Sequence, residues 1–185
     1  MSKVILASKS PRRIELLSLL GIDFETIPAD IDETIDSNND LTKEIEKLSY
    51  KKANHIYQNN KDSLVIGADT IVRIGGQVLG KPKTHEQAKQ MLKLLSNNTH
   101  EVITGVTIIN KDNIDTFSKT AKVTFAPLTD KEIEEYIQTN EPMDKAGAYA
   151  IQGIGAKFVK SIDGDYYTIM GLPIAELYQR LKRYI

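Results

Sequence analysis

Cysteine is absent from all 185 residues, which excludes disulfides, thiolate metal sites and cysteine nucleophiles and leaves the redox compartment unread. The three histidines, His55, His85 and His100, match neither the H-E-x-x-H nor the H-x-x-E-H spacing, so no zinc site of that type is expected. No G-x-x-x-x-G-K-S/T stretch occurs, which argues against a P-loop NTPase. Gly153 and Gly155 lack the strand-to-helix setting of a dinucleotide fingerprint. Apolar runs fall well short of the roughly 18 residues that span a bilayer. Met1 to Leu6 has neither the apolar core nor the cleavage site of a signal peptide, so the expected address is the cytoplasm. Charge of either sign is not in excess: 24 Lys and Arg face 25 Asp and Glu, for a net −1. Such a chain has no global attraction to nucleic acid or anionic membranes, and any phosphate site must come from local clustering of cations.

What is present is an ordinary globular composition, 41% hydrophobic and 26% charged, long enough for one substantial domain. Val4 to Ala7 reads as a buried strand. Ser10-Pro11 opens a helix, with Ser10 able to cap it, Pro11 suited to its first turn, and Leu16, Leu17, Leu19 and Leu20 on its apolar side. Phe24 to Pro28 is a second short strand. Leu41 to Tyr57 is a helix with Leu41, Ile45, Leu48 and Ile56 on one face. Leu64 to Ile66 is a strand ending at Gly67-Ala68-Asp69-Thr70, and Gly75-Gly76 turns a hairpin between Ile71–Ile74 and Gln77–Leu79. Thr84 with Gln87, and Thr129 with Glu132, each open a helix with a capping box. Strands at Val102–Ile109, Ile114–Phe125 and near Lys157–Ile162, and a last helix from Pro173, complete a mixed α/β pattern. Without repeats or linkers, residues 1–185 read as a single domain, of two lobes around a cleft.

Four groups of residues could carry chemistry. Ser8-Lys9-Ser10-Pro11-Arg12-Arg13 crowds cations at a helix N-terminus, where they repel the helix dipole unless an anion offsets them; a solvated basic corner is the plainer alternative. Asp69 ends an apolar strand, where a carboxylate can hold Mg²⁺ or take a proton from water; alone, it could equally serve a turn. Asp30, Asp32 and Glu33 form an acidic loop that offers hard oxygen ligands, or simply a solvated turn. Lys52 continues the apolar stripe of its helix, so its stem points inward, as a snorkelling lysine would also do; Lys81 stands on the constrained Gly80-Lys81-Pro82 turn. The Tyr166-Tyr167 pair suits core or rim packing better than base stacking.

The same residues also carry a resemblance. Ile5-Leu6-Ala7-Ser8-Lys9-Ser10-Pro11-Arg12-Arg13 with Glu15-Leu16-Leu17 resembles the opening signature of the Maf family of nucleotide pyrophosphatases. The likeness continues through Gly67-Ala68-Asp69-Thr70, Gly80-Lys81-Pro82 and His100 to Val106. It then covers Glu141 to Tyr149, Ile151-Gln152-Gly153, Asp163 to Tyr167 and Met170-Gly171-Leu172-Pro173, in order over nearly the whole chain.

The resemblance implies an α/β, inosine-triphosphatase-like (Maf/Ham1) fold, with a long central mixed sheet flanked by helices and two lobes around a cleft. It implies hydrolysis between the α- and β-phosphates of a nucleoside triphosphate, with a divalent metal cation: Mg²⁺, Mn²⁺ or Co²⁺. Asp69 matches the family's catalytic acid, as general base or metal anchor, and Glu33 a metal-assisting position. Ser8, Arg13, Lys52 and Lys81 match positions lining the triphosphate channel. Arg12, Thr70 and Gln152 match those marking the dTTP/UTP branch. Gln152 has both a donor and an acceptor with which to read a uracil or thymine edge. Arg13 and Asp69 must then face one site. The implied partners are the nucleotide and a second copy in a homodimer, with neither nucleic acid nor membrane. The alternatives are a pyrophosphatase for methylated GTP or other modified purine nucleotides, and a non-catalytic regulator of septum formation, the role from which the family takes its full name.

Overall fold

A computed structural model describes residues 3–36 and 39–184; Met1 and Ser2, part of the leader reading, lie outside them. In chain order the elements are β1 (Val4–Leu6), α1 (Pro11–Ser18), β2 (Glu25–Thr26), α2 (Leu41–Tyr57), β3 (Leu64–Ile74), β4 (Gln77–Leu79), α3 (His85–Leu95), β5 (Thr99–Ile109), β6 (Ile114–Phe125), α4 (Asp130–Gln138), β7 (Val159–Asp163), α5 (Tyr166–Met170) and α6 (Ile174–Leu181). Short 3-10 turns occupy Glu141–Asp144, Ala146–Ala148 and Ile154–Phe158.

The strands form one sheet in the order β2-β1-β3-β5-β6-β7, with β4 on β3. β1 runs parallel to both β2 and β3, whereas β3–β4 and β6–β7 are antiparallel, so the sheet is mixed as expected. Two compact units emerge: Met1–Thr70 with Thr104–Lys119 and Gly171–Ile185, and Ile71–Ile103 with Thr120–Met170. The long strands β3, β5 and β6 contribute residues to both.

In the first unit, Ile5, Ala7, Val65 and Ile109 pack with Ala53 and Ile56 of α2. This helix lies against the strands at two glycines. A Cβ on Gly67 would stand 2.5 Å from the Ser49 carbonyl oxygen and 2.7 Å from the Ala53 nitrogen, and one on Gly105 2.6 Å from the Ile45 carbonyl oxygen. Backbone therefore meets backbone, at positions where any side chain would hold the helix off. Below them, Ser49, Thr107 and Thr116 bond hydroxyl to hydroxyl at 2.8 and 2.9 Å, which satisfies their buried oxygens.

In the second unit, Gly75 and Gly76 both adopt positive φ (54° and 82°) and close the β3–β4 hairpin, as the Gly-Gly pair predicts. Both halves of the Thr129–Glu132 capping box form. At α3 Thr84 accepts from the Gln87 N–H, while the Gln87 side chain reaches back one residue further, to the Lys83 N–H. His100, Phe125 and Tyr149 pack edge to face around the start of β5, with ring centroids 4.8–5.3 Å apart.

Besides the half-formed Thr84–Gln87 box, the structure departs from the sequence reading at four places. α1 ends at Ser18, so Leu19 lies outside the helix and is 62% exposed; only Leu16 and Leu17 of its expected apolar side are buried. Ser10 makes no side-chain cap, and the Ser8 hydroxyl instead accepts the Ser10 N–H at 3.1 Å. The strand at Leu64 does not stop at Asp69 but continues unbroken to Ile74, because Gly67 to Thr70 stay extended beneath α2. Tyr166 and Tyr167 open a helix, α5, whose first amides are held by Asp165, a start that the Asp163-Gly164 turn had concealed.

Candidate active site

The candidate site is built in the first unit where β1 runs out. β1 pairs with β3 only as far as Leu6 opposite Ile66, and β3 continues past it for another eight residues. Asp69 and Thr70 lie on this continuation. The chain leaving β1 turns at Ala7 and Ser8 into α1, which brings Arg12 and Arg13 in its first turn. Ser8 is buried, and its hydroxyl holds the turn through the Ser10 amide.

Lys52 comes from α2. The apolar stripe that carries it packs onto β3, and the close approach at Gly67 lets the side chain run inward rather than out to solvent. Its Nζ donates to Asp69 Oδ1 at 2.9 Å and stands 2.6 Å from Glu33 Oε1. Snorkelling is thus ruled out: the residue is 5% exposed and its charge meets the half-buried carboxylate of Asp69 and, at the exposed edge, that of Glu33. Arg13 donates from Nε to the Gly171 carbonyl at 2.8 Å and from Nη2 to Thr70 Oγ1 at 3.0 Å. The same Nη2 lies 3.8 Å from Asp69 Oδ1, so the residues expected to face one site do so. Burial draws the Arg13 pKa below its ordinary value; Asp69 pulls it back and Arg12 adds to the lowering. An arginine keeps its charge through such shifts.

Of the acidic loop, it is Glu33 that reaches Lys52. Asp32 is engaged with the amide and hydroxyl of Thr34 at 3.0 and 2.6 Å, which holds its carboxyl below the usual range, and Asp30 is exposed. Among the described residues no group of three or more His, Asp or Glu is placed to hold a metal ion. Asp69 and Glu33 nevertheless direct two carboxylates at one ammonium, a hard-oxygen pair of the kind a small divalent cation takes together with phosphate oxygens.

Lys81 and Gln152 belong to the second unit. Lys81 is exposed beside Gly80, whose carbonyl accepts the Gly147 N–H at 3.1 Å. Gln152 is exposed on a turn closed by the Gly153 N–H and the Ala150 carbonyl at 3.4 Å. Three residues of the first unit escaped sequence reasoning. Thr104, fully buried, shares a 2.8 Å hydroxyl bond with Thr70; Gly171 supplies the carbonyl that aims Arg13; Gly67 admits α2. A polar Thr before a Gly in the largely apolar Val102 to Ile109 run was the available signal for the first.

The class of protein comes first from the fold. The chain superposes on the Ham1 protein of Staphylococcus aureus with a TM-score of 0.53, covering 100% of both chains at 15% identity. On a HAM1 protein of Coxiella burnetii the TM-score is 0.54, with 99% and 100% covered at 16% identity. This α/β, Ham1-like architecture is the one expected. The family follows from sequence: the family model described as Maf-like protein matches residues 3–184, and the chain belongs to the Maf family. Relatives named dTTP/UTP pyrophosphatase occur in Bacillus cereus strain G9842, at 49% identity over 184 residues, and in Bacillus anthracis, at 50%. Each alignment covers 100% of this chain and 96% of the relative.

Proposed function

We propose that the chain hydrolyses dTTP and UTP to the monophosphate and pyrophosphate, acting over residues 1–185 as one catalytic domain in the cytoplasm. The observation that carries the reading is the meeting of Arg13, Lys52 and Glu33 around Asp69. Two cations and two carboxylates from four separate segments gather at one place, in a chain whose full-length relatives carry that name. Phosphoryl-type substitution needs positioning and charge neutralisation more than covalent chemistry from the protein.

In the proposed reaction Asp69 takes the proton of the attacking water or anchors the metal. Lys52 and Arg13 move their positive charge onto the phosphates and neutralise the charge developing on the departing pyrophosphate. Ser8 and the N-terminal end of α1 receive phosphate oxygens, for which the helix end is already polarised. Lys81 adds a further cation to the triphosphate. Arg12, Thr70 and Gln152 set the preference for pyrimidines; Thr70 does so in part by holding Arg13. Asp69 and Glu33 are the residues that would hold Mg²⁺, Mn²⁺ or Co²⁺, which when bound supplies further neutralisation of the phosphate charge.

Incubation of the purified protein with dTTP, UTP, ITP and methylated GTP, with pyrophosphate and orthophosphate measured separately, tests the proposal. Pyrophosphate with dTMP or UMP, formed by the wild type but not by Asp69→Asn, is the expected outcome. Orthophosphate with a nucleoside diphosphate would mean cleavage at the other bond and overturn it. Turnover of methylated GTP in preference to dTTP would shift the substrate class, and no turnover at all would favour a regulatory role.

A further inference from the structure

Gln152 sits on a turn that is fastened to the second unit through a hydrogen-bonded pair of side chains. On the N-terminal side of the turn, the Ala150 N–H donates to Tyr136 Oη at 3.1 Å. On the C-terminal side, the Ile154 N–H donates to Glu141 Oε2 at 2.9 Å and the Gly155 N–H to Glu141 Oε1 at 3.0 Å. The Tyr136 hydroxyl in turn donates to Glu141 Oε1 at 2.8 Å, which joins the two anchors. Tyr136 is 1% exposed in the last turns of α4, and Glu141 follows in the 3-10 turn Glu141–Asp144, so the pair is set in rigid structure.

The backbone of the turn is shaped to these two side chains. A Cβ on Gly153 would fall 2.2 Å from Glu141 Oε2. One on Gly155 would fall 2.7 Å from Tyr136 Oη and 2.9 Å from the Ala150 carbonyl oxygen. Gly153 and Gly155 therefore serve contact with Glu141 and Tyr136, whereas Gly147, earlier in the stretch, meets Val72. Burial on its own would raise the Glu141 carboxyl, but the amides of Gly155 and Ile154 and the Tyr136 hydroxyl outweigh it and hold the group below its usual range. An ionised carboxylate, which only accepts, is the partner that three converging donors require.

We propose that Glu141, supported by Tyr136, is the positioning residue for substrate choice: it fixes the turn that presents Gln152 and thereby the nucleobase edge the protein accepts. The inference rests on Gln152 being the base-reading residue, as in the proposed function. Glu141 itself touches no substrate. Glu141→Gln keeps the size of the side chain but turns an amide NH₂ toward backbone N–H donors, so at least one of them loses its acceptor.

The experiment measures kcat and KM for dTTP, UTP and ITP in the wild type, Glu141→Gln, Tyr136→Phe and Thr129→Ala, with amide hydrogen exchange on the same samples. Thr129→Ala removes the cap of α4 without touching the turn and controls for lost stability. The expected result is a fall of about tenfold in the dTTP-over-ITP ratio of kcat/KM in Glu141→Gln, carried by KM more than by kcat. Tyr136→Phe should move it the same way by less, and Thr129→Ala should leave it unchanged. The Ile154 and Gly155 amides should exchange about ten times faster in Glu141→Gln. An unchanged ratio in Glu141→Gln, or an equal shift in Thr129→Ala, overturns the proposal. A wild type with no pyrimidine preference overturns the proposed function and with it the selective role; unchanged exchange at Ile154 and Gly155 would in addition remove the clamp itself.

Discussion

Gly67→Ala adds one methyl at the point where α2 crosses β3, and its consequences can be worked from the distances. The new carbon would stand 2.5 Å from the Ser49 carbonyl oxygen, 2.7 Å from the Ala53 nitrogen and 2.9 Å from the Ala53 Cβ. The first two are backbone atoms, so no rotamer change relieves them. Opening the closest contact from 2.5 Å to an ordinary 3.4 Å requires the helix to retreat by about 0.9 Å. Overpacking of this kind costs about 1–3 kcal/mol, against a gain of about 0.5–1 kcal/mol from replacing glycine in a regular element. The net, up to about 2.5 kcal/mol, is destabilising, with Tm lower by as much as about 10 °C for a chain of this size.

The larger effect falls on the site. Lys52 stands between Ser49 and Ala53 on the displaced turn, and it reaches Asp69 at 2.9 Å, with little room to lengthen and remain a hydrogen bond. A misplacement near 1 Å in a positioned catalytic group costs about a hundredfold in rate. We expect kcat/KM for dTTP to fall by about that factor, measured by pyrophosphate release at a temperature well below both Tm values. Wild-type kcat/KM with an unchanged Tm would refute the claim that the glycine sets the helix-to-strand distance. Wild-type kcat/KM with a lowered Tm would show that the distance is set here but that Lys52 tolerates it.

Three further outcomes follow from the same geometry. Asp69→Asn should lower kcat for dTTP by about 10²–10⁴-fold while folded protein persists, as judged by its melting curve, because the amide can neither take a proton nor match the Lys52 charge. EDTA should abolish turnover, and Mg²⁺, Mn²⁺ or Co²⁺ should restore it; full activity in EDTA would remove Asp69 and Glu33 as metal ligands. His100 is buried, which lowers its pKa from 6.5 to about 4. The unfolded chain therefore takes up its proton first as pH falls, so this stability is complete above pH 6.5 and is lost between there and pH 4. Denaturant titrations at pH 7 and pH 5 should show the wild type losing about 2 kcal/mol more than His100→Gln, and an equal loss in both would contradict the assignment.

How much of this was legible depended on whether a feature is local. α2 was readable to its ends because Leu41, Ile45, Leu48 and Ile56 repeat at helical spacing, and the Thr129–Glu132 box because it is complete within four residues. The continuity of β3 was not, since Gly67, Ala68 and Asp69 break the apolar signal although the strand does not break; glycine is there to admit a helix backbone, which no local pattern reveals. Lys52 was ambiguous for a similar reason. A lysine on an apolar stripe can snorkel or pair inward, and the choice depends on carboxylates 17 and 19 positions away brought close by the fold. The Arg13–Gly171 bond spans 158 positions, beyond any local inference; here the family resemblance named Arg13 but said nothing of the carbonyl that aims it.

The pairing within the site also explains how a chain with net charge −1 can keep cations ready for the phosphates of the proposed substrate. An ammonium 5% exposed, as at Lys52, would cost several kcal/mol if left without partners. Asp69, with a smaller share from the exposed Glu33, offsets part of that cost, and Arg13 is tied in the same way to Thr70, Gly171 and Asp69. The cations are thus held in position by contacts that do not require substrate. In the proposed reaction a triphosphate brings about four negative charges, enough to take over the cations and leave the two carboxylates to a divalent ion or a water. The four groups then act as a unit, because each holds another in place before substrate arrives. Asp69→Asn is for that reason a poor measure of one contact: it removes the proposed base and at the same time loosens Lys52, so its effect should not be added to that of Lys52→Met.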